Sequence, residues 1–207
     1  VLVLTFESAD HPLDGWLKRA LEIASDFGGE YDKETIGRES SHRDGAAGAW
    51  RKAFLRACYV REHLTARGVL CDTFETAITW ERFKDFHENV KTAVGSALRE
   101  VTGNRSWVTC RFSHVYPDGP APYFTFVGLG TKDRLLEQFH SVKTAASEAV
   151  VKYGGTITHH HAVGRLHRPQ FDRQRPELFA RALKAVKQEL DPNWILNPGV
   201  LIDRRPT

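Results

Sequence analysis

The stretch that decides the fold reads WVTCRFSHVYPDGPAPYFTFVGL and covers residues 107–129. Its segments 107–116 and 123–129 are rich in aromatic and β-branched residues, which is typical of strands. The sequence PDGP at 117–120 lies between them, and a cluster of proline, aspartate and glycine is a strong turn signal. The stretch therefore predicts a β-hairpin, and with it an antiparallel sheet.

Further elements are predicted on both sides of this hairpin. Apolar residues at helical spacing predict helices over 13–27, 50–67, 82–101, 133–153 and 176–190. A strand is predicted over 1–7, a strand and its exit over 69–80, a short strand leading into a run of histidines, and a long loop over 30–49. Hairpins mixed with helices indicate the α+β class, a mostly antiparallel sheet with helices packed on it.

Composition sets limits on the function. The 207 residues form one large domain or two small ones, and the net charge of +3 is too weak to indicate a nucleic-acid partner. No apolar run approaches the ~20 residues of a membrane span, and no secretion signal is visible. The three cysteines (Cys58, Cys71 and Cys110) are interpreted as free thiols in a reducing compartment. We expect a cytoplasmic protein, or one peripheral to a membrane.

Three consecutive histidines, His159, His160 and His161, are the strongest chemical signal. They lie between glycines, and each imidazole can donate, accept or carry a proton near neutral pH. In an extended backbone, His159 and His161 would share one face and His160 would point to the other. We expect no metal, because zinc needs further ligands and the neighbouring sequence offers no Cys, Asp or Glu. A metal site and an exposed loop cluster are the alternatives.

Tyr123 is a candidate acid or base in the second strand of the hairpin. A phenol can take this role when an adjacent cation stabilises its anion. The alternative is that Tyr123 packs in the core, as aromatic residues in strands commonly do.

Two charged residues complete the set of candidates. Arg61, on the second predicted helix, can hold a phosphate or carboxylate in bidentate fashion, or simply lie on a solvated helix face. Glu75 lies among apolar residues and needs a partner, for which Arg61 is a candidate.

Two segments near the carboxyl end carry weaker signals. The basic stretch 165–175 suits a phosphate, an anionic lipid or an acidic domain, and a solvated loop is the alternative. Asn197-Pro198-Gly199 fits a type II turn, which can hold a carbonyl or amide against a flat ligand.

Taken together, these segments resemble the C-terminal (substrate or cap) domain of FAD-linked oxidases of the vanillyl-alcohol-oxidase type, in the branch of the alkyldihydroxyacetonephosphate synthases. The resemblance covers nearly the whole chain. Its most specific residues are Thr158 before the three histidines and Val163-Gly164 after them. The other matching pieces are Thr73-Phe74-Glu75-Thr76 followed by Trp80, Cys110-Arg111, Tyr123-Phe124 and Asp191-Pro192-Asn193.

The resemblance implies a ferredoxin-like α+β domain over 1–207, a fragment of a two-domain flavoprotein whose FAD-binding domain lies upstream. The strand pattern at the first residue also indicates a fragment. The implied reaction exchanges the acyl chain of acyl-dihydroxyacetone phosphate for a fatty alcohol in ether-lipid synthesis. Implied partners are the N-terminal FAD-binding domain and a lipid-like phosphorylated substrate, and a peripheral membrane contact and a homodimer stay open.

The resemblance also implies roles for single residues. Tyr123, His159, His160 and His161 would be catalytic, Arg61 would bind the substrate, and His160, His161 and Asn197 would contact FAD.

Two other functions stay open. Ala162 stands where glycine is usual in this branch, and the ending Leu196-Asn197-Pro198-Gly199 is more similar to the hydroxyacid dehydrogenases. The first alternative is therefore an FAD-dependent D-2-hydroxyacid dehydrogenase or oxidase. The second is a non-enzymatic, histidine-rich module that binds a metal or an anion.

Overall fold

The computed structural model describes residues 6–31, 45–103 and 106–203. Within them the elements are α1 (Asp14–Asp26), α2 (Gly45–Thr65), β1 (Val69–Glu75), α3 (Trp80–Thr102), β2 (Ser106–Val115), β3 (Pro120–Leu129), α4 (Leu135–Lys152), α5 (Arg168–Gln174) and α6 (Glu177–Leu190). A 3₁₀ turn, Lys132–Arg134, precedes α4. The predicted α+β class is confirmed. No helix in these described ranges is long and apolar enough to cross a membrane.

The chain divides into two compact units within α2, between Val60 and Arg61. The first unit contains α1 and most of α2. The second contains the sheet and helices α3 to α6, and every group of the candidate site belongs to it.

The predicted hairpin is present, and it forms two strands of a three-stranded antiparallel sheet with the order β1-β3-β2. Its turn is closed by hydrogen bonds between Tyr116 and Gly119, in which each N–H donates to the other carbonyl at 3.0 and 3.3 Å. A Cβ on Gly119 would lie 2.0 Å from the carbonyl oxygen of Ile78. Glycine is therefore required where the hairpin turn passes the segment between β1 and α3.

The core lies on one face of the sheet, beneath α3 and α4. Side chains alternate across a strand, so every second residue points into this core. Phe74 of β1 and Phe124 of β3 stack there with ring centroids 4.8 Å apart. The other members come mainly from the two helices: Ile78, Phe86, Val90, Val94, Leu98, Phe126, Val142, Ala146, Ala149 and Val150.

The opposite face of the sheet carries polar side chains, and we call it the open face. It is formed by Thr73 and Glu75 of β1, Tyr123 and Thr125 of β3, and Arg111 of β2, which are neighbours in the strand register. All are half-buried or exposed except Glu75.

Several predicted elements need correction. Helix α2 begins at Gly45, inside the predicted loop, of which 32–44 lie outside the described residues. Helix α5 was not predicted, because its seven residues, with a proline in the first turn, are too short to show periodicity. Residues 1–5 of the predicted first strand also lie outside the described residues.

The short strand predicted before the histidines is wrong. One backbone bond joins this segment to the residues that follow β1, from Thr156 N–H to the Ala77 carbonyl at 3.1 Å. Side chains bond several of its other backbone groups. The hydroxyl of Thr76 donates to the Thr156 carbonyl at 2.6 Å, and the Gln174 side chain bonds Gly155 and Ile157 at 2.7 and 2.8 Å. The segment is a loop because side chains, rather than the backbone of a neighbouring strand, make these hydrogen bonds.

Candidate active site

Two glycines fix the way the chain enters the histidine loop (158–161). Gly154 has φ +83°, and the N–H groups of Gly154 and Gly155 donate to the carbonyls of Val151 and Val150 at 3.1 and 2.9 Å. This pair of bonds is the Schellman ending of a helix, and it requires a left-handed residue. A Cβ on Gly155 would lie 2.6 Å from the ring of Phe86. The loop therefore starts from a fixed point on the core.

A single buried carboxylate, that of Glu75, shapes the histidine loop. Its Oε1 accepts hydrogen bonds from Thr158 Oγ1 at 2.6 Å and from the backbone N–H groups of His159, His160 and His161 at 2.8, 3.0 and 2.9 Å. The Glu75 side chain has no exposed surface. The loop curves around this oxygen, so the predicted extended backbone with alternating imidazoles is wrong.

These bonds determine the charge of Glu75. Burial alone would raise its pKa, but the hydrogen bonds from Thr158 and from the three histidine amides outweigh burial and lower the pKa to about 2. The site therefore contains a fixed negative charge at neutral pH.

The imidazole rings form one cluster on the open face. His160 Nδ1 lies 3.1 Å from Glu75 Oε2 and 3.3 Å from Nδ1 of His159. The rings of His160 and His161 both contact Tyr123, with centroids 5.9 and 5.1 Å away. Burial lowers the pKa of His161, although Glu75 opposes this effect, so His161 is a neutral proton acceptor near pH 7.

Tyr123 is held on the open face by two neighbours. Its hydroxyl donates to Thr73 Oγ1 at 3.1 Å, and the guanidinium of Arg111 lies 4.5 Å from the ring centroid. The structure thus brings four of the predicted site residues together: Tyr123, His159, His160 and His161. Arg111 was not predicted, although the hairpin register places it opposite Tyr123 and could have revealed it.

A β-bulge adds a fourth imidazole to this cluster. The register of β2 shifts between Phe112 and His114, so that His114 pairs with Ala121. One extra residue in a strand turns the following side chains to the other face. His114 therefore lies on the open face, with its ring 5.1 and 5.3 Å from those of His159 and His160.

His159 also lies near Tyr116, and it belongs to a group of three histidines with the spacing of metal ligands. Tyr116 Oη lies 3.2 Å from His159 Nε2, within hydrogen-bond distance. His114, His159 and His160 offer ring nitrogens within 4.8 Å of one another, a set that could hold a metal ion. His114 and Tyr116 were not predicted as site residues, because strict alternation assigns His114 to the core face.

Arg61 pairs with Asp72, whereas the sequence predicted Glu75 as its partner. Its guanidinium lies 3.1 Å from Asp72 Oδ1, and the buried Lys143 lies 3.1 Å from Oδ2 of the same carboxylate. Asp72 alternates with Thr73 along β1 and faces the helices. The predicted Arg61–Glu75 pair is therefore wrong, since the histidine loop satisfies Glu75. No described contact joins Arg61 to Tyr123, and its role in substrate binding stays a prediction.

Asn197 lies in an exposed turn after α6. Gly199 has φ +76°, and the Val200 N–H donates to the Asn197 carbonyl at 3.4 Å, as in the predicted type II turn. The Pro198 carbonyl accepts a hydrogen bond from Arg165 at 3.2 Å. Contact of Asn197 with a flavin stays a prediction.

Comparison with known families gives the class of this domain. Residues 1–201 match the family described as FAD linked oxidases, C-terminal domain. The chain belongs to this family. Its cofactor is accordingly FAD, and the predicted resemblance is confirmed at the level of the family.

Relatives with assigned names come from both branches of the resemblance. The chain is 31% identical over 158 residues to an alkyldihydroxyacetonephosphate synthase of Trypanosoma brucei brucei, an alignment covering 76% of this chain and 26% of that protein. It is 32% identical to the Caenorhabditis elegans enzyme of the same name, over 70% of this chain and 25% of that protein. A D-2-hydroxyglutarate dehydrogenase of Stutzerimonas stutzeri (strain A1501) is 32% identical over 41% of this chain and 21% of its own length. The chain spans about a quarter of the length of the curated relatives it matches.

Solved structures support the fold. An alkyldihydroxyacetonephosphate synthase superposes with a TM-score of 0.53 at 18% identity, over 72% of this chain and 24% of that one.

The residues of the open face fit one wall of an FAD site. The isoalloxazine ring is flat and carries carbonyl oxygens and ring nitrogens along its edge. The half-exposed rings of His160 and His161 offer N–H donors and acceptors suited to such an edge, and the fixed loop holds them in place. Ala162, next to these rings, has φ +67°, the region that glycine favours, which gives a structural reason for the glycine common there in the branch.

Proposed function

We propose that this chain forms the substrate-facing wall of a flavoenzyme that resembles alkyldihydroxyacetonephosphate synthase. The enzyme would exchange the acyl chain of acyl-dihydroxyacetone phosphate for a fatty alcohol. The observation that carries the proposal is the cluster of three consecutive imidazoles, held by one buried carboxylate against Tyr123. The synthase relatives align over 76% and 70% of this chain and the dehydrogenase over 41%, which favours the synthase branch.

Each group of the open face has a task in this reaction. FAD, when bound by an N-terminal partner domain, would supply an electrophilic flavin ring for this chemistry. Tyr123, oriented by its bond to Thr73, exchanges a proton with the substrate carbon, and the neutral His161 accepts a proton from the incoming alcohol. Arg111, exposed beside Tyr123, is the open-face candidate to meet the phosphate or the departing carboxylate, and Arg61, paired with Asp72, is a second candidate outside that face.

The test uses the full-length protein, purified with its flavin. Incubation with an acyl-dihydroxyacetone phosphate and a labelled fatty alcohol should give an alkali-stable ether product and a free fatty acid in equal amounts. Tyr123→Phe should reduce turnover by on the order of 100-fold or more and leave the flavin spectrum unchanged, because it removes only a proton-transferring group. Near-normal turnover in that variant would remove Tyr123 from the mechanism.

A D-2-hydroxyacid dehydrogenase is the second candidate. Two observations favour it: the match to a D-2-hydroxyglutarate dehydrogenase and the sequence Leu196-Asn197-Pro198-Gly199, which resembles that branch. In that enzyme an imidazole would take the hydroxyl proton of the acid. Anaerobic mixing with D-2-hydroxy acids decides between the two: bleaching of the flavin supports the dehydrogenase, and no bleaching together with ether formation supports the synthase.

The histidine-rich module is the third candidate, and the grouping of His114, His159 and His160 is its structural basis. The family assignment favours a flavoenzyme over this reading. Tight binding of zinc by a full-length protein that takes up no flavin would reverse that preference.

A further inference from the structure

We propose that Glu75 is a positioning residue that sets the tautomer of His160, with the proton on Nδ1 and a bare Nε2 available to accept a proton from substrate. The proposal deepens the proposed function, since it assigns the state of an imidazole in that site.

The first step rests on the distances around His160 Nδ1. This nitrogen lies 3.1 Å from Glu75 Oε2 and 3.3 Å from His159 Nδ1. A nitrogen lone pair would be repelled by a carboxylate oxygen at this distance, whereas an N–H is attracted to it. The carboxylate therefore favours the proton on Nδ1 of His160.

The second step concerns His159, whose ring lies between His160 and Tyr116. Its Nδ1 faces the His160 Nδ1, and its Nε2 lies 3.2 Å from Tyr116 Oη. Once His160 carries its proton on Nδ1, the consistent state of His159 has an acceptor Nδ1 and an Nε2–H directed at Tyr116. In this state His160 donates to His159, and His159 donates to the Tyr116 hydroxyl.

The third step is the rigidity of Glu75 itself. Its carboxylate is buried and accepts bonds from the hydroxyl of Thr158 and from three consecutive backbone amides. It therefore cannot rotate away from His160 without breaking several hydrogen bonds. A carboxylate that orients an imidazole in this way makes the far ring nitrogen the reactive one.

The experiment reads the tautomer directly. Full-length protein labelled with ¹⁵N only in its histidine rings is dialysed against a chelator. Solid-state ¹⁵N spectra are then recorded at about pH 8.5, where imidazoles are ordinarily neutral. The His160 signals are identified from the spectrum of His160→Gln. A protonated Nδ1 and a bare Nε2 are expected, and the opposite tautomer, which prevails in free histidine, would overturn the proposal.

A pair of variants tests the cause. Glu75→Gln should move the His160 proton to Nε2 and lower kcat by on the order of 100-fold with KM near its wild-type value, and Glu75→Asp should restore part of kcat. Thr158→Val is the matched control, because it removes one bond to the carboxylate but keeps the charge, so the tautomer should not change. An unchanged tautomer in a folded Glu75→Gln protein would contradict the assignment.

The two proposals fail separately. The tautomer measurement needs no substrate. Absence of ether formation would therefore refute the proposed function but would leave the tautomer assignment of His160 intact. If Glu75→Gln does not fold, the wild-type spectrum alone decides.

Discussion

The charge of Glu75 should make a large, pH-dependent contribution to stability. Its pKa is about 2 in the folded chain, against an ordinary value of 4.5. One pKa unit corresponds to about 1.4 kcal/mol, so the ionised carboxylate stabilises the fold by about 3 kcal/mol at neutral pH. Because the pKa is lowered on folding, this contribution is present above pH 4.5 and is lost as the pH falls from there through about 2.

The perturbation that isolates this contribution is Glu75→Gln, which nearly preserves shape and removes the charge. Urea unfolding followed by tryptophan fluorescence at several pH values from 7 to 2.5 gives the free energy of unfolding of both proteins. The variant should be about 3 kcal/mol less stable at pH 7, and the difference should shrink steadily below pH 4.5. Glu100→Gln, at an exposed position of α3, is the matched control and should follow the wild type.

One result would refute the reasoning. A difference between wild type and Glu75→Gln that stays constant from pH 7 to pH 2.5 would mean that the charge of this carboxylate does not stabilise the loop.

Two further predictions concern neighbouring features. Asp72→Ala leaves the ammonium of Lys143, which is 5% exposed, without its ion pair, so the free energy of unfolding measured in urea should fall by about 3–5 kcal/mol. Arg61→Ala, which removes the exposed partner of the same carboxylate, should cost less than about 1 kcal/mol, and equal losses would contradict this distinction. Deletion of Ser113 should remove the β-bulge but leave His114 opposite Ala121 on the open face, so the NOE contacts between its ring and the other imidazoles should persist. Loss of those NOEs would show that pairing with Ala121 does not hold this ring on the open face.

The elements predicted correctly are those with local signals. The PDGP turn and the flanking aromatic strands predicted the hairpin, and apolar spacing over 82–101 predicted α3, which spans Trp80–Thr102. Both signals depend on residues within a few positions of one another. The histidine run and Tyr123 were predicted to share a site, and the structure brings their rings together.

The arrangement inside the site could not be predicted in the same way. The bonds that curve the histidine loop join Glu75 to residues 83 to 86 positions later in the chain, so no local pattern contains them. Strict alternation along β2 also fails at the bulge, where one extra residue changes the face of His114. The partner assigned to Glu75 was wrong because backbone amides carry no signature in the sequence.

Consecutive backbone amides that converge on one point form a concavity which in many proteins takes up a phosphate or a carboxylate. In this chain the concavity of residues 159–161 already holds an anion of its own, the side chain of Glu75. An acidic group on an incoming molecule is therefore shut out of these amides and must find its counter-charge in a side chain. An acidic ligand on this surface would therefore depend on side chains such as that of Arg111, and substituting them would change ligand choice without altering the main chain.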